Sequence, residues 1–318
     1  MKVHGLLLLD KPRGLSSNTA LQKARRLLEA DKAGHGGTLD PLADGLLPVM
    51  FGEACKLADF ALEGDKAYEA TLRLGQTTTT DDMEGDIVST ADVAFTGAEL
   101  DSVLARFRGE IVQVPPVYSA LKIAGKALYR YAREGNPVQA APRRVTIHEL
   151  ALLERREGDG SALTLRVACT KGTYIRSLAR DIGAALGCGA HLSALRRTVV
   201  GRFTVLGAVT LDALAAMTAQ ARRRQLVGLE SLVSDWPSAI VDDAGARLFC
   251  QGQAIVVDPA SLQSAGVNLP PALNQTGGGT VPLPKIAVHC GGRLIGLGRR
   301  TSSTESTCVL APVRIIVS

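Results

Sequence analysis

Two stretches of this chain, YEATLRL (68–74) and ALTLRVAC (162–169), alternate apolar and polar residues. A period of two puts one set of side chains in a core and the other in water, which is the mark of a half-buried strand. In the first stretch Tyr68, Ala70, Leu72 and Leu74 share the apolar face, opposite Glu69, Thr71 and Arg73. Helical spacing appears elsewhere. Leu21, Ala24, Leu27 and Leu28 line one face of a helix through about residue 30 that Ser16 and Ser17 can cap, and Leu100, Val103, Leu104 and Phe107 line another at 99–107. Further helices are expected at about 53–62 and 173–186. A strand over GLLLL (5–9) opens the chain. Strands and helices mixed without a regular βαβ repeat predict an α+β fold rather than a doubly wound one.

At 318 residues the chain exceeds the usual single-domain size. Strand candidates at 253–258, 285–290, 293–298 and 313–318 surround a proline- and glycine-rich loop at 268–284. They set off a small β-rich C-terminal domain, 245–318, from a large domain, 1–244. Residues 115–144 carry Pro115, Pro116, Pro137 and Pro142, three tyrosines and six Lys or Arg, and read as an excursion from the core. A net charge of +5 admits a polyanionic partner without proving one. Six cysteines without a CxxC read as reduced thiols of a cytosolic protein, and Cys188 with His191 lacks the second pair a zinc site needs. GLLLL is too short for a signal peptide, and no stretch approaches a membrane span, so no membrane association is expected and the expected location is cytoplasmic.

The sequence GHGGTLDPLADGLL (34–47) holds the residues best suited to chemistry. Gly34, Gly36 and Gly37 tolerate backbone angles that other residues avoid. Pro41 fixes its own φ and pushes Asp40 towards an extended conformation, at a rigid corner that Leu39 and Leu42 can anchor in a core. From these residues alone the plainer reading is a turn whose aspartate caps a following helix, with Asp44 as eligible for function as Asp40.

Six separated segments change that reading. DKPRGLSS (10–17), GHGGTLDPLADGLLPV (34–49), DKAYEATLRLG (65–75), PPVYSALKIAGKALYRYAREG (115–135), KGTYIRSLARDIG (171–183) and GAHLSALRR (189–197) resemble, in order, the bacterial tRNA pseudouridine-55 synthases, the TruB family of pseudouridine synthases. The resemblance covers about residues 4–235 and is looser in the tail. It implies a large catalytic domain on a mixed, mostly antiparallel sheet and a small PUA-like RNA-binding domain. One departure is visible: the loop after the Tyr68 strand has Thr79 where the family usually has a further aspartate, while Asp82 keeps its place. That bears only on the loop's local hydrogen bonding.

The resemblance implies that uridine 55 in the T loop of transfer RNA is flipped out and isomerised to pseudouridine, with Asp40 as the catalytic nucleophile. An aspartate in water, with a pKa of about 3.9, is already ionised at neutral pH, so such a nucleophile needs placement rather than a base. Arg176 matches the arginine that pairs with this carboxylate, and Tyr68 the tyrosine that stacks on the flipped base and can take a sugar proton. Tyr174 and Leu195 match pocket walls that keep out water, His35 matches an RNA contact, and Lys11 with Pro12 a structural support. Asp44 falls where the family is permissive and is expected on the surface. Lys122, Lys126, Arg130 and Arg133 are expected to face RNA phosphates. The reaction changes no oxidation state and transfers no phosphate, so neither cofactor nor metal is implied. The partner is the tRNA T stem-loop, and the chain is expected to act as a monomer. A second reading is an RNA-binding tRNA folding factor whose catalysis is secondary.

Overall fold

The structure is a computed structural model that describes residues 2–58, 64–158, 161–263, 285–303 and 307–316. Among them one large mixed sheet carries the N-terminal two thirds of the chain. Its main path runs through Val209–Thr210, β1 (Gly5–Lys11), β2 (Ala43–Phe51), β3 (Ala190–Val200), β4 (Lys66–Leu74), β5 (Ala162–Cys169), β6 (Arg143–Arg156) and β7 (Gly109–Gln113). From β3 to β7 every pairing is antiparallel, whereas β2 and β3 run parallel. The α+β fold expected from the alternating strands is the one formed.

The alternation at 68–74 does what its period dictates: Tyr68, Ala70, Leu72 and Leu74 are buried in one core cluster. Leu163, Leu165 and Val167 of β5 join them, beneath the helix α1 (Ile175–Ala185) and the helix α2 (Gly97–Arg106). Thr96 and Glu99 close a capping box at the start of α2. A helix α3 (Ser17–Leu27), capped by Ser16 as expected, covers the other side of β1 and β2.

Two expectations are corrected here. No helix follows the glycine-rich stretch: Asp40 is succeeded by a tight turn, closed by Ala43 N–H donating to Asp40 C=O at 3.1 Å, and then by the central strand β2. The apolar run Leu46–Phe51 is buried on both sides, as a strand in the middle of a covered sheet requires. The helix expected at 53–62 is instead a 3-10 helix at Gly52–Leu57, with 59–62 outside the described residues.

A second sheet of six strands contains Ser238–Ile240, Ile255–Val257, Leu262–Gln263, Lys285–Cys290, Arg293–Ser303 and Cys308–Ile315. It therefore takes up the chain ahead of residue 245, and the loop expected at 268–284 lies outside the described residues. Ala287, Leu294, Leu297 and Ile316 of this part share a buried cluster with Leu6, Leu46 and Met50 of the large sheet. Residues 115–144 form a hairpin (Lys122–Ile123 with Lys126–Ala127) and a short helix (Leu128–Arg133), fastened by the buried Leu128. Among the described residues no helix is long and apolar enough to cross a membrane.

Candidate active site

The corner at Asp40 is built by its neighbours. Leu39 and Leu42 are buried in the main core, as their spacing implied. Ser17, at the start of α3, grips the residue before Asp40: its hydroxyl accepts from Leu39 N–H at 2.7 Å and donates to Leu39 C=O at 2.9 Å. Lys11 is fully buried, and its ammonium donates to the carbonyls of Pro12 at 2.9 Å and Leu15 at 2.6 Å, closing the turn that delivers Ser17. Burial lowers the Lys11 pKa, with Asp44 and Asp40 pulling it back up.

Asp40 projects from this corner to Arg176, whose Nε stands 3.0 Å from Asp40 Oδ2. Arg176 comes from the first turn of α1 and is only 6% exposed, against 39% for the aspartate. Both of its other nitrogens are engaged: Nη1 with Thr80 C=O at 3.1 Å and Asp82 at 3.5 Å, Nη2 with Tyr118 C=O at 2.8 Å. Asp82 is itself buried and accepts from the Thr80 hydroxyl at 2.6 Å and Glu84 N–H at 3.0 Å. A guanidinium held at every corner is a rigid support for one partly exposed carboxylate. At the departure noted above, Thr79 Oγ accepts from Asp86 N–H at 3.1 Å and bridges its own loop.

Asp40 lies at the junction of two cavities. The inner one, about 330 Å³, is lined by Tyr68, Tyr174, Leu195, Lys66, Arg143 and Arg197. Leu195 and Arg197 project from the same face of β3 and lie beside Ala70 and Tyr68 of β4. Tyr174 ends the loop before α1, where its backbone is held by Gln113 at 2.8 and 3.0 Å and its ring is covered by the Arg143 guanidinium, 4.6 Å from the centroid. Burial pushes the Tyr68 phenol up to about 12, against a smaller opposing pull from Arg197. The outer cavity, about 570 Å³, is walled by His35, Asp40, Asp82, Tyr129, Arg133 and Arg176 among others. His35 Nδ1 is buried without a hydrogen-bond partner, and burial, then Arg197, lowers the pKa of its ring.

Asp40, Arg176, Tyr68, Tyr174, Leu195 and His35 are thus brought together. Lys122, Lys126 and Arg130 are not on the cavity walls. Lys126 pairs with Glu134 and lies over the Tyr131 ring, Arg130 contacts Tyr129, and only Arg133 of the four reaches the outer cavity. Asp44 is not on open surface: it is half-buried and pairs with Arg196 at 2.6 Å, beside Asp10 at 2.8 Å, on the opposite face of β3 from Leu195. The reason is register, since Asp44 lies opposite Arg196 in the parallel pair. Sequence reasoning missed Ser17 as a clamp and Arg197 as a buried charge. The signal for Arg197 was its place in the apolar phase of AHLSALRRTVV, two residues after Leu195. Among the described residues no group of three or more His, Cys, Asp or Glu side chains is placed to hold a metal ion.

A supported carboxylate thus stands between a small inner slot and an open groove. Solved structures share the fold. A chain of an H/ACA RNP bound to a substrate RNA containing 2′-deoxyuridine matches with a TM-score of 0.69 at 24% identity, over 99% of this chain and 85% of that one. A chain of a Cbf5-Nop10-Gar1 complex matches with a TM-score of 0.69 at 26% identity, over 99% and 84%. Among curated proteins, tRNA pseudouridine synthase B of Burkholderia mallei (strain NCTC 10247) is 50% identical over 99% of this chain and 97% of its own. That of Cupriavidus metallidurans is 56% identical over 80% of each. The fold and these relatives define a pseudouridine synthase. Family models for the TruB family pseudouridylate synthase N-terminal domain and the tRNA pseudouridylate synthase B C-terminal domain match residues 25–175 and 176–234. The chain belongs to the TruB family.

Proposed function

We propose that this chain isomerises uridine 55 in the T loop of transfer RNA to pseudouridine, with Asp40 as the nucleophile and without a cofactor, as a cytoplasmic monomer. The observation that carries the reading is the position of Asp40, held by Arg176 where the inner slot meets the outer groove. The names of the relatives support tRNA as the substrate, and the ordered motifs support the T-loop position. A slot of this volume is at the small end of ligand pockets and suits one flipped pyrimidine while the stem-loop stays outside.

In the reaction the N1–C1′ bond breaks and its electron pair stays on the uracil. The base turns in the slot, the C5–C1′ bond forms, the C5 proton leaves and N1 takes up a proton. Asp40 attacks at uracil C6 or at the sugar, and the Arg176 guanidinium holds the carboxylate in line for either. Tyr68 supplies a stacking face and a hydroxyl that can take a sugar proton. Tyr174 and Leu195 exclude water from the detached base. His35, on the wall of the groove, faces the flipped-out nucleotide.

The test is incubation of the metal-free protein with a T stem-loop RNA, followed by nucleoside chromatography that separates uridine from its isomer before mass detection. The wild type produces pseudouridine at one position, and Asp40→Asn binds the RNA without producing any. Turnover by a clean Asp40→Asn preparation removes Asp40 from the nucleophile's role.

A further inference from the structure

Arg197 is 1% exposed, and among the described residues no carboxylate ion-pairs with it. An isolated buried cation costs several kcal/mol unless its surroundings compensate it, so its contacts show what the fold gains from it. Its Nε donates to Leu46 C=O at 2.8 Å and its Nη2 to Gly37 C=O at 3.1 Å. These carbonyls stand on the two shoulders of the Asp40 corner, one before it and one after. Across the sheet Arg197 is the register partner of Tyr68 in β4 and of Gly45 in β2. Gly45 has φ +98°, and a side chain there would collide with the backbone oxygen of Arg197, so the arginine strand lies as close to the Asp40 loop as a backbone can. The Arg197 charge opposes the effect of burial on the Tyr68 phenol, and both side chains line the inner slot with Asp40.

We propose that Arg197 is a positioning residue for the isomerisation: it fixes the Tyr68 hydroxyl as an acceptor and ties it to both shoulders of the Asp40 corner, so that hydroxyl and carboxylate face one uridine. The adjacent cation stabilises the phenolate, the form of Tyr68 that can take the sugar proton. The other groups around Tyr68 do not supply this. Cys169 from β5 and Asp40 both raise the phenol's pKa, and Arg197 alone opposes the effect of burial. Lys66, another cation of the slot, has its own pKa lowered first by burial and then by Arg197.

This inference rests on the proposed activity for its kinetic arm and on the phenol's titration for its independent arm. Arg197→Met keeps length and removes charge, and Arg197→Lys keeps charge but cannot reach Gly37, Leu46 and Tyr68 together. Protein labelled with ¹³Cζ-tyrosine, with the Tyr68 signal assigned by Tyr68→Phe, is titrated into the alkaline range. In parallel, single-turnover rates on the T stem-loop are followed against pH. Arg197→Met should move the Tyr68 titration upward and lower the rate roughly 10²-fold, the scale of a positioned proton-transfer group, with RNA affinity little changed. Arg197→Lys should lie between the two and serves if the Met variant does not fold. An unmoved Tyr68 titration in a folded variant, or a wild-type single-turnover rate, overturns the inference. Absence of pseudouridine with the wild type overturns instead the activity on which the kinetic arm rests.

Discussion

The Ser17 hydroxyl is bonded twice to Leu39, accepting from its N–H at 2.7 Å and donating to its C=O at 2.9 Å, one residue before Asp40. One side chain from the start of a helix thus fixes both polar groups of the peptide that aims the carboxylate. Both partners are buried, so removal of the hydroxyl leaves an amide and a carbonyl without water to replace it. Ser17→Ala should destabilise the fold by about 1–3 kcal/mol, the range for an unsatisfied buried group. It should also slow single turnover while RNA affinity holds. Urea unfolding and single-turnover kinetics check this, and a variant equal to wild type in both would show that Leu39 is held by packing alone.

Arg176 serves Asp40 and Asp82 at once, so stability and rate should separate on substitution. Arg176→Met leaves the 5%-exposed Asp82 without its cation, which should cost about 3–5 kcal/mol. Arg176→Lys keeps a charge near Asp82 and most of that stability, but one ammonium cannot also hold Thr80 C=O, Tyr118 C=O and Asp40. Its single-turnover rate should fall roughly 10²-fold, the scale of a small misplacement of a reacting group. Equal losses of stability in the two variants would show that charge near Asp82 is not what Arg176 supplies.

His35 gives the acid side of the stability profile a definite sign. Burial and the Arg197 charge lower its pKa in the folded state below the usual 6.5, so between the two values the unfolded chain binds more protons. Stability is therefore fully present above about pH 6.5. It falls as pH drops, and the loss levels off below the folded value. His35→Gln should remove that component, so its unfolding free energy should change less than the wild type's between neutral and mildly acid pH. Parallel curves would show that His35 does not titrate on unfolding.

The alternating strands were legible because each has one wet face, and β4 and β5 form where the period put them. The strands β2 and β3 were not, since a central strand covered on both sides loses the period of two, and β3 carries Arg196 and Arg197 in successive positions. Those two arginines point to opposite faces, one to Asp10 and Asp44 and the other to Tyr68, a distinction that only sheet register makes. The rigid corner at Asp40 was legible from Pro41, Leu39 and Leu42, whereas its use was not: an aspartate before a helix and one before a covered strand look alike until the downstream partner is known. Arg176 was marked by resemblance, but its four contacts come from segments as distant as Asp40, Thr80 and Tyr118, which no local pattern brings together.

The four cations proposed to face RNA phosphates should not contribute equally. Lys126 is already paired with Glu134 and lies 4.5 Å over the Tyr131 ring, and Arg130 bonds the neighbouring Tyr129. Arg133 stands over the Tyr129 ring, 5.6 Å from its centroid, on the wall of the outer cavity, and Lys122 is exposed on the hairpin. Removing one cation from a phosphate should flatten log K against log salt by about 0.7–0.9, the counterions released per phosphate. The double variant Lys122→Ala with Arg133→Ala should thus reduce the slope for a T stem-loop by roughly 1.4–1.8. Lys126→Ala should change it by less than either single member of that pair, because its charge is already balanced by Glu134. Affinity measured across a salt series checks both statements. A slope unchanged in the double variant would mean that this hairpin does not touch the RNA backbone, while an equal reduction from Lys126→Ala would mean that Glu134 is displaced when RNA binds.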